Sequence, residues 1–184
     1  AVNSILEAEN IIDPFVFGHS MGGYVGLELA KMTKIRLTLI HSNFWADSLQ
    51  QKDDRDRVVE LVEDKKEFFI KVAIPNLFYK ETRKNHLPVI KDVIEKANKI
   101  PKTEICAGTL GLKTRHENYD VMNNQNINII QGEFDTIMTL SDMETELKKL
   151  SKRQEVSIIK NCGHMGIWEQ TNELSELIHE IISK

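Results

Sequence analysis

No apolar run in the 184 residues approaches the roughly 18 that a membrane-spanning helix needs, so no membrane role is expected. There is no block of basic residues either: 24 Lys and Arg are spread among 28 Asp and Glu, for a net charge of -4. A chain without a basic stripe lacks the electrostatic footprint of a nucleic-acid binder, so neither DNA nor RNA is expected as a partner. Cysteine is scarce, with only Cys106 and Cys162. Two thiols make no disulfide framework and no Cys/His spacing resembles a zinc site, which leaves reduced, cytoplasmic thiols as the expectation. The first residues lack the basic-then-apolar layout of a secretory signal, and no internal repeat or low-complexity linker interrupts the chain. The length suits one domain able to bury a sizeable core, a small enzyme or a piece of one.

What is present is an alternation of strand-like and helix-like segments. Residues 1–9 read as the end of a helix, and Asp13-Pro14 then punctuates the entry to a strand over about Phe15 to His19. Tyr24, Val25, Leu27, Leu29 and Ala30 are apolar nearly all round, as in a buried helix, and a second strand follows over Ile35 to His41. From Trp45 to about Asn124 no strand-like run occurs. Apolar residues there recur at helical spacing, as in Val58, Leu61 and Val62 or Leu87, Ile90, Ile94 and Ala97, so a helical insertion is expected. The charged run Asp53 to Arg57 reads as a solvated helix face, and Phe68, Phe69, Phe78 and Tyr79 read as packing residues. Ile127 to Ile130 reads as a strand ending at Gly132, Ser141 to Glu144 as a capping box, and Glu155 to Lys160 as a further strand. Leu174, Leu177, Ile178, Ile181 and Ile182 form the stripe of a closing helix. Residues 1–44 and 125–184 are thus expected to form a mostly parallel α/β sheet flanked by helices, with 45–124 inserted as a helical cap.

The chemistry is concentrated at Phe15-Val-Phe-Gly-His-Ser20-Met-Gly-Gly-Tyr24. A Gly-x-Ser-x-Gly turn set between an apolar strand and an apolar helix is the nucleophile elbow of serine hydrolases, with Gly18 and Gly22 small so that strand and helix can approach. A serine hydroxyl needs a histidine base that is itself oriented by a carboxylate. Asp135, in Gly132-Glu-Phe-Asp135, and His164, in Asn161-Cys-Gly-His164, each stand just past a strand, where open α/β sheets bind ligands. Glu133 competes for the acid role but falls inside the turn. His19 reads as structural or pocket-lining, and His41, His86, His116 and His179 as surface or packing residues.

Gly18-His-Ser-Met-Gly-Gly23, Gly132-Glu-Phe-Asp135 and Gly163-His164-Met, in that order around a helical insertion, resemble the α/β-hydrolase superfamily. Within it the likeness is to small carboxylesterase-like members, the group that includes pimeloyl-carrier-protein methyl ester esterases. The resemblance implies Ser20 as nucleophile, His164 as general base and acid, Asp135 as its orienting partner and the backbone N–H of Met21 as one oxyanion donor. It implies a small acyl substrate and no metal or organic cofactor. The strands that precede the elbow in such enzymes, and the loop that supplies a second oxyanion donor, have no counterpart in this sequence. The strand Phe15 to Phe17 is therefore expected to pair with missing polypeptide or another chain.

Overall fold

The computed structural model describes residues 1–184. Four strands, β1 (Phe15–His19), β2 (Arg36–Ile40), β3 (Asn128–Gly132) and β4 (Glu155–Ile159), form one parallel sheet in the order β1-β2-β3-β4. Parallel neighbours require crossovers, and helices supply them. Helix α1 (Val2–Ala8) precedes the sheet, and α2 (Met21–Ala30) joins β1 to β2. The long connection to β3 carries α3 (Leu49–Asn76), a 3-10 turn (Arg83–His86), α4 (Leu87–Asn98), α5 (Lys102–Thr114) and α6 (Tyr119–Asn124). Helix α7 (Leu140–Leu147) joins β3 to β4, and α8 (Gly166–Glu169) and α9 (Thr171–Ser183) complete the chain. Because all strands run the same way, Ser20, His41, Glu133 and the Asn161–His164 loop all leave the sheet at its carboxyl end.

The middle strands β2 and β3 carry the apolar runs and are the most buried, with Leu37, Leu39, Ile129 and Ile130 at most 1% exposed. Ile40, Ile130, Ile159, Cys162 and Leu174 form one cluster, onto which Phe17 and the α9 residues Leu177, Ile178 and Ile181 pack. Four of the five residues read from the helical spacing make up that stripe, and the fifth, Ile182, is exposed. Helix α7 begins two residues earlier than the expected capping box: Thr139 is the cap, its hydroxyl accepting from Asp142 N–H at 3.1 Å. The short α8, of four residues, has no periodic signature in the sequence.

The chain separates into two compact units, residues 1–44 with 118–184, and residues 45–117. The second boundary falls at Glu117, before α6, where the sequence pattern placed it at Asn124. The reason is local: Asn118 N–H donates to Phe44 O at 2.7 Å, and Val121 and Met122 are buried. The second unit is helical throughout, with Val62, Ile70, Ile74, Phe78 and Ile90 buried. Ser48 and Gln51 form a reciprocal capping box at the start of α3, which kinks at Lys65. The charged run at its start is only partly solvated. Arg55 reaches the buried Asp47 at 3.0 Å, where Arg115 also binds at 2.7 Å, and Asp56 pairs with Lys113 at 2.6 Å.

Candidate active site

Ser20 sits between β1 and α2 with φ 50° and ψ -117°, a backbone conformation that is costly for any residue with a Cβ. Three hydrogen bonds hold it there: Ser20 N–H donates to Ile40 O (2.9 Å), and Ser20 O accepts from Gly23 N–H (3.0 Å) and the Ser42 hydroxyl (2.8 Å). The close approach of strand and helix explains two glycines. A Cβ at Gly18 would lie 2.6 Å from Gly22 O, and one at Gly23 would lie 2.2 Å from Ser42 Oγ. Gly22 differs from expectation, since a Cβ there meets nothing within 4 Å. It lends its backbone to the contact, and Gly23 carries the steric demand.

The three residues expected to act together are brought together. His164 Nε2 is 2.9 Å from Ser20 Oγ, and His164 Nδ1 is 2.8 Å from Asp135 Oδ2. The imidazole and carboxylate are buried, whereas Ser20 is half-buried. Since the carboxylate accepts, the Nδ1 proton belongs to His164 and its Nε2 lone pair faces the serine hydroxyl, the arrangement required to draw off the serine proton. Met21 heads α2, where the first turn leaves backbone N–H groups without helical acceptors. Glu133 takes no part: its carboxylate binds Asn161 N–H and Lys160 Nζ, both at 3.1 Å. Those contacts hold its carboxyl below the usual range.

Asp135 is held from every side. Its Oδ1 accepts from Ile137 N–H (2.8 Å) and Met138 N–H (3.0 Å), and its Oδ2 accepts from Gln131 Nε2 (3.1 Å) as well as from His164. Burial alone would raise its pKa, but hydrogen bonds from His164, His41 and Met138 N–H outweigh it and keep the carboxyl well below its ordinary range. On the other side of the imidazole, Glu169 Oε1 accepts from Gly163 and Met165 N–H, both at 3.0 Å, and so fixes the loop on either side of His164. His19 donates through Nε2 to His164 O at 2.9 Å, a structural role as expected, with burial lowering the pKa of its ring.

His41 is the packing residue of its two expected alternatives, but it also reaches the acid. It is fully buried, and its Nδ1 lies 3.2 Å from Asp135 Oδ2. The available signal was positional: it stands immediately after β2, as Asp135 and His164 stand shortly after β3 and β4. The other three follow expectation, with His86 against the Phe78 ring and His116 and His179 exposed. His41, Asp135 and His164 place potential metal-ligand atoms within 4.8 Å of one another. In the observed geometry both Nδ1 atoms bind the carboxylate and His164 Nε2 binds Ser20, so the cluster is a hydrogen-bonded chain.

No family model matches the sequence, and no curated protein does. Solved structures match the fold along almost the whole chain. A thermophilic esterase from Thermogutta terrifontis, in a malate-bound structure, superposes with a TM-score of 0.85 at 25% identity, over 97% of this chain and 68% of its own. An esterase from Exiguobacterium antarcticum gives 0.85 at 14% identity, covering 100% and 71%. An enol-lactonase from Burkholderia xenovorans LB400 gives 0.84 at 13% identity, covering 100% and 70%.

Proposed function

We propose that this chain, whose fold is that of the α/β-hydrolases, is a serine hydrolase that cleaves a small carboxylic ester or related acyl compound through an acyl-serine intermediate. The observation that carries the reading is the single imidazole that reaches a strained-turn serine at 2.9 Å and a buried carboxylate at 2.8 Å. Ser20 Oγ attacks the acyl carbon while His164 Nε2 takes its proton, and Asp135 stabilises the imidazolium. Met21 N–H supports the oxyanion. The imidazolium then protonates the leaving alkoxide, and His164 activates water to release the acid and free the serine.

Lactone hydrolysis is the second reading, because it uses the same atoms and one matching structure is an enol-lactonase. The same triad also suits carbon–carbon bond hydrolysis or acyl transfer. The helical unit 45–117 is proposed as the part that selects the acyl group. The outer edge of β1, which no strand of this sheet pairs, is proposed as the place where further polypeptide or another chain adds a strand. No helix is long and apolar enough to cross a membrane. A cytoplasmic setting is proposed on the two buried free thiols.

The test is hydrolysis of p-nitrophenyl acetate and butyrate, beside a small lactone, together with labelling by a fluorophosphonate. Turnover and labelling that both vanish in Ser20→Ala support the reading. Labelling that persists at another residue removes Ser20 from the mechanism.

A further inference from the structure

The Asp135 carboxylate serves two imidazoles. His164 approaches Oδ2 from the loop after β4 at 2.8 Å, and His41 approaches the same oxygen from the end of β2 at 3.2 Å. The second contact is built at some cost to the fold. His41 has φ 46°, in the left-handed region, and its Nε2 is buried with no hydrogen-bond partner. Its ring is also clamped: a Cβ at Gly166 would fall 2.3 Å from Nε2, and one at Gly132 would fall 2.9 Å from Cε1. An apolar residue would fill this space without an unsatisfied nitrogen. The one polar contact that the ring makes is the one to Asp135.

We propose that His41 is a positioning residue for the catalytic carboxylate: by donating its Nδ1–H to Asp135 Oδ2, it holds that oxygen between two imidazoles and limits how strongly Asp135 binds the proton-bearing His164. The proposal rests on the reading of Ser20, His164 and Asp135 as the catalytic residues. An oxygen that accepts a second imidazole donor has less charge to offer the first. His41 therefore loosens the hold of the carboxylate on His164 and leaves the His164 Nε2 available as the base that Ser20 needs.

The groups facing this cluster come from every neighbouring loop. From β1 come Ser20 and His19, the latter with its ring 5.7 Å from that of His41 and 5.3 Å from that of His164. From the β3 end comes the neutral Gln131, and from the β4 end come Cys162, whose thiol burial pushes up and keeps neutral, and Glu169 on the His164 loop. The imidazole that shares Oδ2 with His164 is His41.

The experiment compares the wild type with His41→Leu, His41→Met and His41→Asn. Leucine and methionine fill the space without a donor, and methionine serves where the branched leucine side chain does not pack, being the more adaptable of the two. Asparagine carries its amide nitrogen where Nδ1 stood and tolerates positive φ. Proton NMR should give two low-field imidazole N–H signals in the wild type, one lost in His41→Leu and the other in His164→Ala. In His41→Leu or His41→Met the remaining signal moves further downfield, and the acid limb of the kcat/KM profile moves up by about half a pH unit to one unit. His41→Asn restores both. A single low-field signal in the wild type, an unmoved His164 signal in the leucine and methionine variants, or an asparagine variant that behaves like leucine overturns the proposal. Should the wild type neither hydrolyse esters nor label with fluorophosphonate, the functional reading fails, while the NMR comparison still decides whether His41 competes for Asp135.

Discussion

The two units bury polar side chains very differently. The sheet unit encloses Thr38, His41, Ser42, Asn43, Asn118, Gln131, Asp135, Gln154, His164 and Glu169, whereas the helical unit encloses only Asp47 and Thr109. Burying polar groups costs stability unless each finds a partner, so a dense buried network marks a place where something besides stability has shaped the chain. In the sheet unit that network lies largely at the carboxyl ends of β2, β3 and β4, with Asp135 at its centre. In the helical unit the buried carboxylate of Asp47 ends on Arg55 and Arg115 and orients no nucleophile. A buried charge alone is therefore no sign of a site; what a partner does next is.

The largest effect that should separate the two units is on chemistry. Ser20→Ala and Asp135→Asn should each lower ester turnover by about 10⁴-fold or more, read by steady-state kinetics, with circular dichroism unchanged. Asp47→Ala should leave turnover within about threefold while costing about 3 kcal/mol of stability, because it strands two arginines. Urea unfolding followed beside the ester assay checks both halves, and a loss of turnover as deep as that of Asp135→Asn would erase the contrast.

Packing at the elbow offers the next test. Gly23→Ala should destabilise by about 1–3 kcal/mol or prevent folding, since its Cβ would fall 2.2 Å from Ser42 Oγ. Expression yield and thermal midpoint read this. Acid sharpens the same contrast. The folded carboxyl of Asp135 titrates below its unfolded value, so its stabilisation is complete above about pH 4, the ordinary carboxyl value, and is lost as pH falls toward the depressed one. Urea midpoints for the wild type and Asp135→Asn should therefore converge below about pH 4 and stay separated at pH 7. The smallest effect is expected at Gly22→Ala, where the new Cβ enters open space and the helix gains a better former: stability should change by less than about 1 kcal/mol, in the stabilising direction.

The elements most legible in the sequence were those specified by neighbours along the chain. The apolar run Phe15 to Phe17, the glycines around Ser20 and the helical run beyond are contiguous, so strand, turn and helix could be read together. The strand ends placed Asp135 and His164 at the same edge, because parallel strands linked by helices must all present their carboxyl ends there. The bounds of β1 and the stripe of α9 were readable for the same reason, through local period and turn residues. Glu133 and Asp135 were separable because only one of them lay outside the turn.

What the sequence by itself determined, then, is the order of elements and the identity of the residues able to form a Ser-His-Asp chain. Tertiary structure alone decided which residues complete it. His41 meets Asp135 across 94 positions, His19 meets His164 across 145, and Gly23 faces Ser42, contacts that exist only once β1, β2, β3 and β4 are in register. No local periodicity encodes such partners. A hydrogen bond between sequence-distant loops depends on the summed geometry of the sheet, and the residue that makes it looks, in the sequence, like any histidine at the end of a strand.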